Sequence, residues 1–301
     1  MKYSIVTTLY KSEANISEFL DRVNKVMSTF DENFEIVIVD DGSPDRSYEI
    51  AAKFKETVAN LRLLQFNKNY GHRFALLCGI ENSEGEYVIT IDSDLEERPE
   101  DIPKLIREID MKPEIDHIFA VQETRKGKLI ERITGRLYYL LTNQLNEDKI
   151  VPNQMTMRIF TRRFANSLLK QNDKSFTFFG LVNRCGYESD FIVLSKESRG
   201  NSNYTFRKKI ELSFLGLQTT SLRIIYIIFF LGLSSLFVAF IFAAFGLIVY
   251  IRNGSGSGWL SIMFSIWFLG TLQILILSLI GLFLQQILVE TKNNPRFELK
   301  S

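Results

Sequence analysis

The sequence predicts an α/β domain built on a mostly parallel sheet, followed by two helices of membrane-spanning length. Three observations lead there. Short β-branched runs alternate with segments of helical spacing over the first 121 residues, acidic residues cluster where two of those runs end, and formal charge almost vanishes after residue 223. The chain of 301 residues has 36 basic and 35 acidic side chains, and that near balance excludes a partner such as nucleic acid held by bulk charge. Two cysteines, Cys78 and Cys185, are too few for a disulfide framework, so a reducing compartment is expected.

In chain order, 3–9 is a β-branched apolar run, and 13–30 has helical spacing through Ile16, Phe19, Leu20, Val23 and Val26. Strands are then predicted over 35–39, 61–66, 87–91 and 117–121, with helices over 48–58, 73–82 and 102–109 between them. Strands separated by helices of about ten residues imply βαβ units with helices on both sheet faces. Ligands of such sheets sit beyond the carboxyl ends of the strands.

From 224 to 289 the only charged residue is Arg252, beside the turn-rich Asn253-Gly254-Ser255-Gly256-Ser257-Gly258. The flanking runs, about 224–251 and 259–289, each exceed the roughly 20 residues that cross about 30 Å of hydrocarbon. A soluble helical hairpin of that length would keep a polar face, and none is visible here. Arg199, Arg207, Lys208, Lys209 and Arg223 precede the first run, and Lys292, Arg296 and Lys300 come after the second. The positive-inside rule then leaves both ends of the chain in the cytoplasm. Residues 1–11 are too polar for a signal peptide. The expected organisation is a cytosolic domain over 1–204, a juxtamembrane amphipathic segment over 205–222, and two spans with a short cytosolic tail over 223–301 of a multi-pass protein of the cytoplasmic membrane.

The strand exits are acidic: Asp40-Asp41-Gly42-Ser43 succeeds the second strand, and Asp92-Ser93-Asp94 the fourth. A lone Asp-x-Asp is more often a helix cap. Two acidic clusters at two exits of one sheet favour a hard divalent cation bridging them to a diphosphate. Neither Gly-x-Gly-x-x-Gly nor a P-loop is present, so a dinucleotide fold and a P-loop nucleotide site are unsupported.

Ser4-Ile5-Val6-Thr7-Thr8-Leu9-Tyr10, Val39-Asp40-Asp41-Gly42-Ser43, Asn69-Tyr70-Gly71 with Ala75 and Gly79, and Asp92-Ser93-Asp94-Leu95-Glu96 before Pro99-Glu100-Asp101 together resemble the inverting family 2 glycosyltransferases of the GT-A fold, a Rossmann-like nucleotide-diphospho-sugar transferase domain. With Arg199-Gly200-Asn201-Ser202-Asn203-Tyr204 and the two apolar runs, the whole chain resembles the polyprenyl-phosphate branch, which includes dolichol-phosphate mannose synthases and bactoprenol glucosyltransferases. The resemblance implies transfer of one sugar from a UDP- or GDP-sugar to polyprenyl phosphate at the cytoplasmic face. It implies that Thr8, Tyr10, Asp40, Asp41, Asp92 and Ser93 bind the donor, and that Asp92 and Asp94 are the catalytic pair. These two, with Glu96 where Gln is usual, would hold Mg²⁺ or Mn²⁺. It also implies that Arg125, Arg132, Arg136 and Arg199 hold the acceptor phosphate, a role suited to the guanidinium fork. A lipid phosphate is already ionised and needs no strong general base, whereas a sugar hydroxyl would need one.

Around those arginines, 128–145 has amphipathic spacing with a basic side, as does 206–217, and both suit a membrane interface as well as ordinary core packing. Membrane lipids are therefore expected partners. Small residues such as Gly232, Ser234, Ser235, Gly246, Gly270 and Gly281 would allow close helix approach in a homo-oligomer, a dimer or tetramer.

Departures from the family pattern fall on the sugar and acceptor side. Thr8-Leu9-Tyr10-Lys11-Ser12 replaces Pro-x-Tyr-Asn-Glu, Gln122 stands for an arginine, Gln154-Met155-Thr156-Met157-Arg158-Ile159 lacks the usual Asp, and Asn203 replaces a lysine. They point to an unusual sugar or acceptor. Two alternatives stay open: a glycosyltransferase using a carbohydrate or glycolipid hydroxyl in surface polysaccharide synthesis, and a membrane-tethered nucleotide-sugar-binding assembly subunit.

Overall fold

The structure is a computed structural model describing residues 1–30, 32–56, 58, 60–123, 153–171, 178–197, 234, 241, 248, 251–252, 258–291 and 296–300. Among these residues seven strands form one sheet: β1 (Tyr3–Leu9), β2 (Phe34–Asp40), β3 (Leu61–Gln65), β4 (Tyr87–Thr90), β5 (His117–Gln122), β6 (Gln154–Thr161) and β7 (Ser189–Leu194). Their order is β3-β2-β1-β4-β6-β5-β7. Among the described residues the α-helices are α1 (Ile16–Met27), α2 (Ser47–Phe54), α3 (His72–Glu81), α4 (Ile102–Met111), α5 (Arg162–Lys170), α6 (Phe178–Arg184) and α7 (Gly258–Thr291).

The first half has the predicted pattern. β1 pairs in parallel with β2 and β4, and β2 with β3. All seven β1 residues are buried, as a central parallel strand covered on both faces requires. One face packs under α1, α2 and α4 through Phe19, Leu20, Val23, Ala51, Leu105 and Ile109. The other packs under α3, α5 and α6 through Leu76, Leu77, Ile80, Phe164, Leu168 and Leu181. At Gly79 the closeness of α3 to β1 leaves no space for a side chain, because an added Cβ would run into Val6 Cγ1.

Helix ends differ from expectation for local reasons. The chain before α1 turns at Ser12, whose carbonyl accepts from the Asn15 and Ile16 N–H groups at 3.0 Å each. Past Phe54 the bonds shorten to the three-residue type, with the Lys55 N–H on the Ala52 carbonyl.

The second half departs from a simple parallel order. β6 inserts antiparallel between β4 and β5, and β7 then pairs in parallel with β5 at the edge. Towards the end of the chain, α7 runs 34 residues. Among the described residues no stretch qualifies as a membrane span. The α7 side chains are described only at intervals. The predicted helix at 128–145, the juxtamembrane segment and nearly all of 224–251 lie outside the described residues.

Candidate functional site

Strand order reverses direction around β1, since β2 and β3 are laid down on one side and β4 on the other. That arrangement opens a crevice at the carboxyl ends of β1, β2 and β4. Register aligns the exits: Leu9 lies opposite Asp40, and Val6 opposite Thr90, so Asp92 emerges about level with Thr8.

At the β2 exit, Asp40 is fully buried and its carboxylate accepts from the Ser43 N–H at 3.3 Å and from Gln65 Nε2 at 3.0 Å. It builds the turn that Gly42 completes at φ +65. The Asp41 carboxylate accepts from the Tyr70 N–H at 2.7 Å and the Gly71 N–H at 2.9 Å. Burial pushes the Asp41 carboxyl up, and those two backbone donors with nearby His72 oppose the shift. Asp41 thereby ties the loop before α3 to the end of β2.

At the β4 exit, Ser93 Oγ donates to the Thr8 carbonyl at 2.8 Å, which locks β1 and β4 together where both leave the sheet. The Asp92 N–H donates to Glu97 Oε2 at 3.2 Å, and the Asp92 carboxylate stands 3.5 Å from His72 Nε2. The other ring nitrogen of His72 is 2.8 Å from Thr8 Oγ1. Asp94 Oδ1 accepts from the Glu96 N–H at 2.9 Å across a tight bend in which Leu95 holds φ 62. Burial first, and then the neighbouring Asp92 charge, push the Asp94 carboxyl up, with Lys196 in partial opposition. Glu96 is paired with Lys196 at 2.8 Å.

These groups suit a hard divalent cation. Asp92 and Asp94 offer oxygen ligands only, and their mutual repulsion is the kind a bound cation relieves. Among the described residues no cluster of three or more His, Cys, Asp or Glu side chains is preassembled around one point. The exposed ring of Tyr10 stands at the mouth of the crevice.

Beside the Asp92 turn, a cleft of about 220 Å³ is lined by Glu97, Gln122, Gln154, Thr156 and Lys196. Three positions from the segments that leave the family pattern, Gln122, Gln154 and Thr156, therefore meet in one place. Glu97 is buried there, with Oε1 accepting from the Thr156 N–H at 2.7 Å, and burial pushes its carboxyl up to about 8.

The structure thus brings together Thr8, Tyr10, Asp40, Asp41, Asp92, Ser93, Asp94 and Glu96 at neighbouring strand exits. Arg125, Arg132, Arg136 and Arg199 lie outside the described residues. Sequence reasoning missed three participants. His72 comes directly after the Asn69-Tyr70-Gly71 segment and was findable from it. Glu97 hides in the charged run Glu96-Glu97-Arg98, which reads as solvated surface, and no local signal marks Lys196.

Comparison with known proteins agrees with the fold and extends past it. The chain is 28% identical over 306 residues to the bactoprenol glucosyl transferase of Shigella phage SfX, covering 100% of this chain and 99% of that protein. It is 29% identical over 305 residues to the undecaprenyl-phosphate 4-deoxy-4-formamido-L-arabinose transferase of Pseudomonas paraeruginosa, covering 98% and 88% respectively. The fold matches glucosyl-3-phosphoglycerate synthase from Mycobacterium tuberculosis, crystallised with Mn²⁺, uridine diphosphate and phosphoglyceric acid, with a TM-score of 0.52 and 17% identity over 72% of this chain and 76% of that one. The sheet is accordingly a GT-A-like mixed α/β sheet with Rossmann-like features. Residues 4–169 match Glycosyl transferase family 2, so the chain belongs to that family and is a glycosyltransferase acting on a nucleotide sugar.

Proposed function

We propose that this glycosyltransferase moves one sugar from a UDP- or GDP-sugar to polyprenyl phosphate, with inversion, at the cytoplasmic face of a membrane in which its C-terminal third is anchored. The observation that carries the reading is the near end-to-end similarity to two enzymes named for bactoprenol and undecaprenyl phosphate, which takes in the apolar region as well as the sheet. The sequence supports the anchor: the runs at about 224–251 and 259–289 carry no acidic residue and each exceeds the roughly 20 residues that cross about 30 Å of hydrocarbon. In this reading 1–204 is the cytosolic domain, 205–222 lies along the interface, 224–251 and 259–289 cross it, and both ends are cytosolic.

In chemical terms the donor diphosphate lies at the β1, β2 and β4 exits. Asp92 and Asp94, with Glu96 once released from Lys196, would hold Mg²⁺ or Mn²⁺. Such an ion supplies charge neutralisation on the departing nucleoside diphosphate. The protein's own contribution is preorganisation. Asp41 fixes the 70–71 backbone, Ser93 fixes β4 against β1, and His72 spans Thr8 and Asp92. Arg125, Arg132, Arg136 and Arg199 would hold the acceptor phosphate, whose oxygen attacks the anomeric carbon while the bond to the nucleoside diphosphate breaks.

The test is incubation of the purified full chain with Mg²⁺, undecaprenyl phosphate and a panel of radiolabelled nucleotide sugars. Label should move into an organic-extractable product. Donor turnover that needs a carbohydrate or glycolipid hydroxyl instead would overturn the polyprenyl-phosphate assignment.

A further inference from the structure

β3 is the edge of the sheet, where unpaired backbone groups need a partner. Just past its carboxyl end that partner comes from the other end of the chain. Phe66 forms an antiparallel bridge with Leu299. The Lys300 N–H donates to the Gln65 carbonyl at 2.7 Å, the Asn67 N–H to the Glu298 carbonyl at 3.2 Å, and Asn67 Nδ2 to Glu298 Oε2 at 2.9 Å. The Phe297 ring stacks on buried Phe66, centroids 5.1 Å apart and planes at 23°, while Tyr70 meets Phe66 edge-on at 5.4 Å. The Arg296 guanidinium reaches the Gln171 carbonyl at the end of α5.

On its other side this stretch touches the acidic turn. The Phe66 N–H donates to the Asp40 carbonyl at 2.9 Å, and Gln65 Nε2 to the Asp40 carboxylate at 3.0 Å. The backbone of Lys68 and Asn69 lies so close to Gly42 that a Cβ there would come 2.6 Å from the Lys68 carbonyl carbon. Tyr70 and Gly71 then hold Asp41. A continuous series of contacts therefore runs from 297–300 through 65–71 to Asp40, Asp41 and Gly42. Thr291, the last residue of α7, is five residues before Arg296, so the two are at most about 18 Å apart along an extended chain.

We propose that residues 296–300 are a positioning strap for the donor loop: by pairing with 65–67 and stacking Phe297 on Phe66 they hold 66–71 in place and so set affinity for the nucleoside diphosphate part of the donor. The proposal rests on the reading of Asp40 and Asp41 as donor-side residues. It also ties the end of α7 to the donor pocket, since the strap is the first described segment after that helix.

The experiment compares full-length wild type, Phe297→Ala and the conservative Phe297→Tyr by hydrogen–deuterium exchange, by titration with UDP and GDP in Mn²⁺, and by steady-state kinetics. In Phe297→Ala, exchange at 66–71 should accelerate while that of α1 stays unchanged. Donor KM and the nucleotide Kd should rise about 3- to 10-fold, the scale of one lost aromatic pair, with kcat within twofold. Phe297→Tyr should restore both. A folded Phe297→Ala protein with wild-type exchange at 66–71 and unchanged donor KM would overturn the strap. So would an equal rise of exchange in α1, which marks general destabilisation. Failure of wild type to bind either nucleotide would instead remove the donor-site reading and the affinity role with it, while exchange at 66–71 still decides whether the strap holds the loop.

Discussion

The two halves of the sheet treat charge in opposite ways. Strands β2 and β4 are apolar through their middles and keep acids at their ends: Glu35 is buried at the start of β2, accepting from Ser4 Oγ at 2.6 Å, and at the exits backbone N–H groups receive Asp41 and Asp94. The β5 and β6 half buries basic groups inside the strands themselves. Arg158 is wholly enclosed in β6, donating to the Met155 carbonyl at 2.8 Å and lying over the rings of Phe178 and Phe179. Burial pushes its guanidinium down to about 10, opposed by Glu97 and Asp92. His117 in β5 packs against Phe119, Phe160 and Phe164, with Nδ1 3.0 Å from Ser189 Oγ. Among the described residues neither Arg158 Nη1 nor His117 Nε2 has a hydrogen-bond partner. The contrast teaches that the acidic half gathers its charge at the strand exits, while the other half holds charge within the sheet, as a fixed field and as packing.

Asp94→Asn is the strongest way to break that contrast. If the exit acids serve a bound cation and a departing diphosphate, sugar transfer should fall at least about 100-fold with folding intact. Turnover within a few-fold of wild type, measured at saturating donor, would leave the acidic half without a chemical role and favour a binding subunit.

Gly79→Ala tests how tightly the acidic half is built. The new methyl meets Val6 on β1, so urea unfolding should show a loss of about 1–3 kcal/mol, the usual cost of overpacking a core. An unchanged midpoint would mean that α3 can lift from the sheet, and with it the loop carrying Tyr70 and Gly71.

His117→Phe addresses the other half and has the smallest effect. Burial, reinforced by Arg158, holds His117 well below its ordinary 6.5, so it stays neutral when folded and takes up a proton when unfolded. Its contribution is complete above about pH 6.5 and is lost as pH falls through that value towards the depressed folded one. Phenylalanine keeps the ring packing and abolishes the proton uptake. Between pH 7.5 and 5.5 the variant should therefore lose about 1.4 kcal/mol less stability than wild type. A stability difference between the two proteins that is the same at both pH values would show that His117 is not held neutral.

The same division separates the elements that could be read from residues alone from those that could not. Each strand of the parallel half is a short apolar run closed by a polar turn, and its helix partner comes at once, so local periodicity suffices. β6 escaped because Arg158 interrupts its apolar pattern and because its partners β4 and β5 are far away in the chain. β7 alternates buried and exposed positions only weakly, as edge strands do. At the site, the acids were visible as motifs. Glu97 and Lys196 were not, since a buried carboxylate and a surface one look alike until packing is known.

By itself the sequence determined the βαβ order, the acidic exits and the charge-free C-terminal third, because each is written in neighbouring residues that obey one period or one composition. Only the tertiary structure decided that Ser93 clamps β1, that His72 bridges Thr8 and Asp92, that Gln122, Gln154 and Thr156 share one cleft, and that Phe297 returns to cover Phe66. Such contacts reach across more than 230 positions, as between Asn67 and Glu298, 231 apart. No local preference encodes these meetings; they form when burial of the sheet brings distant segments to the same edge.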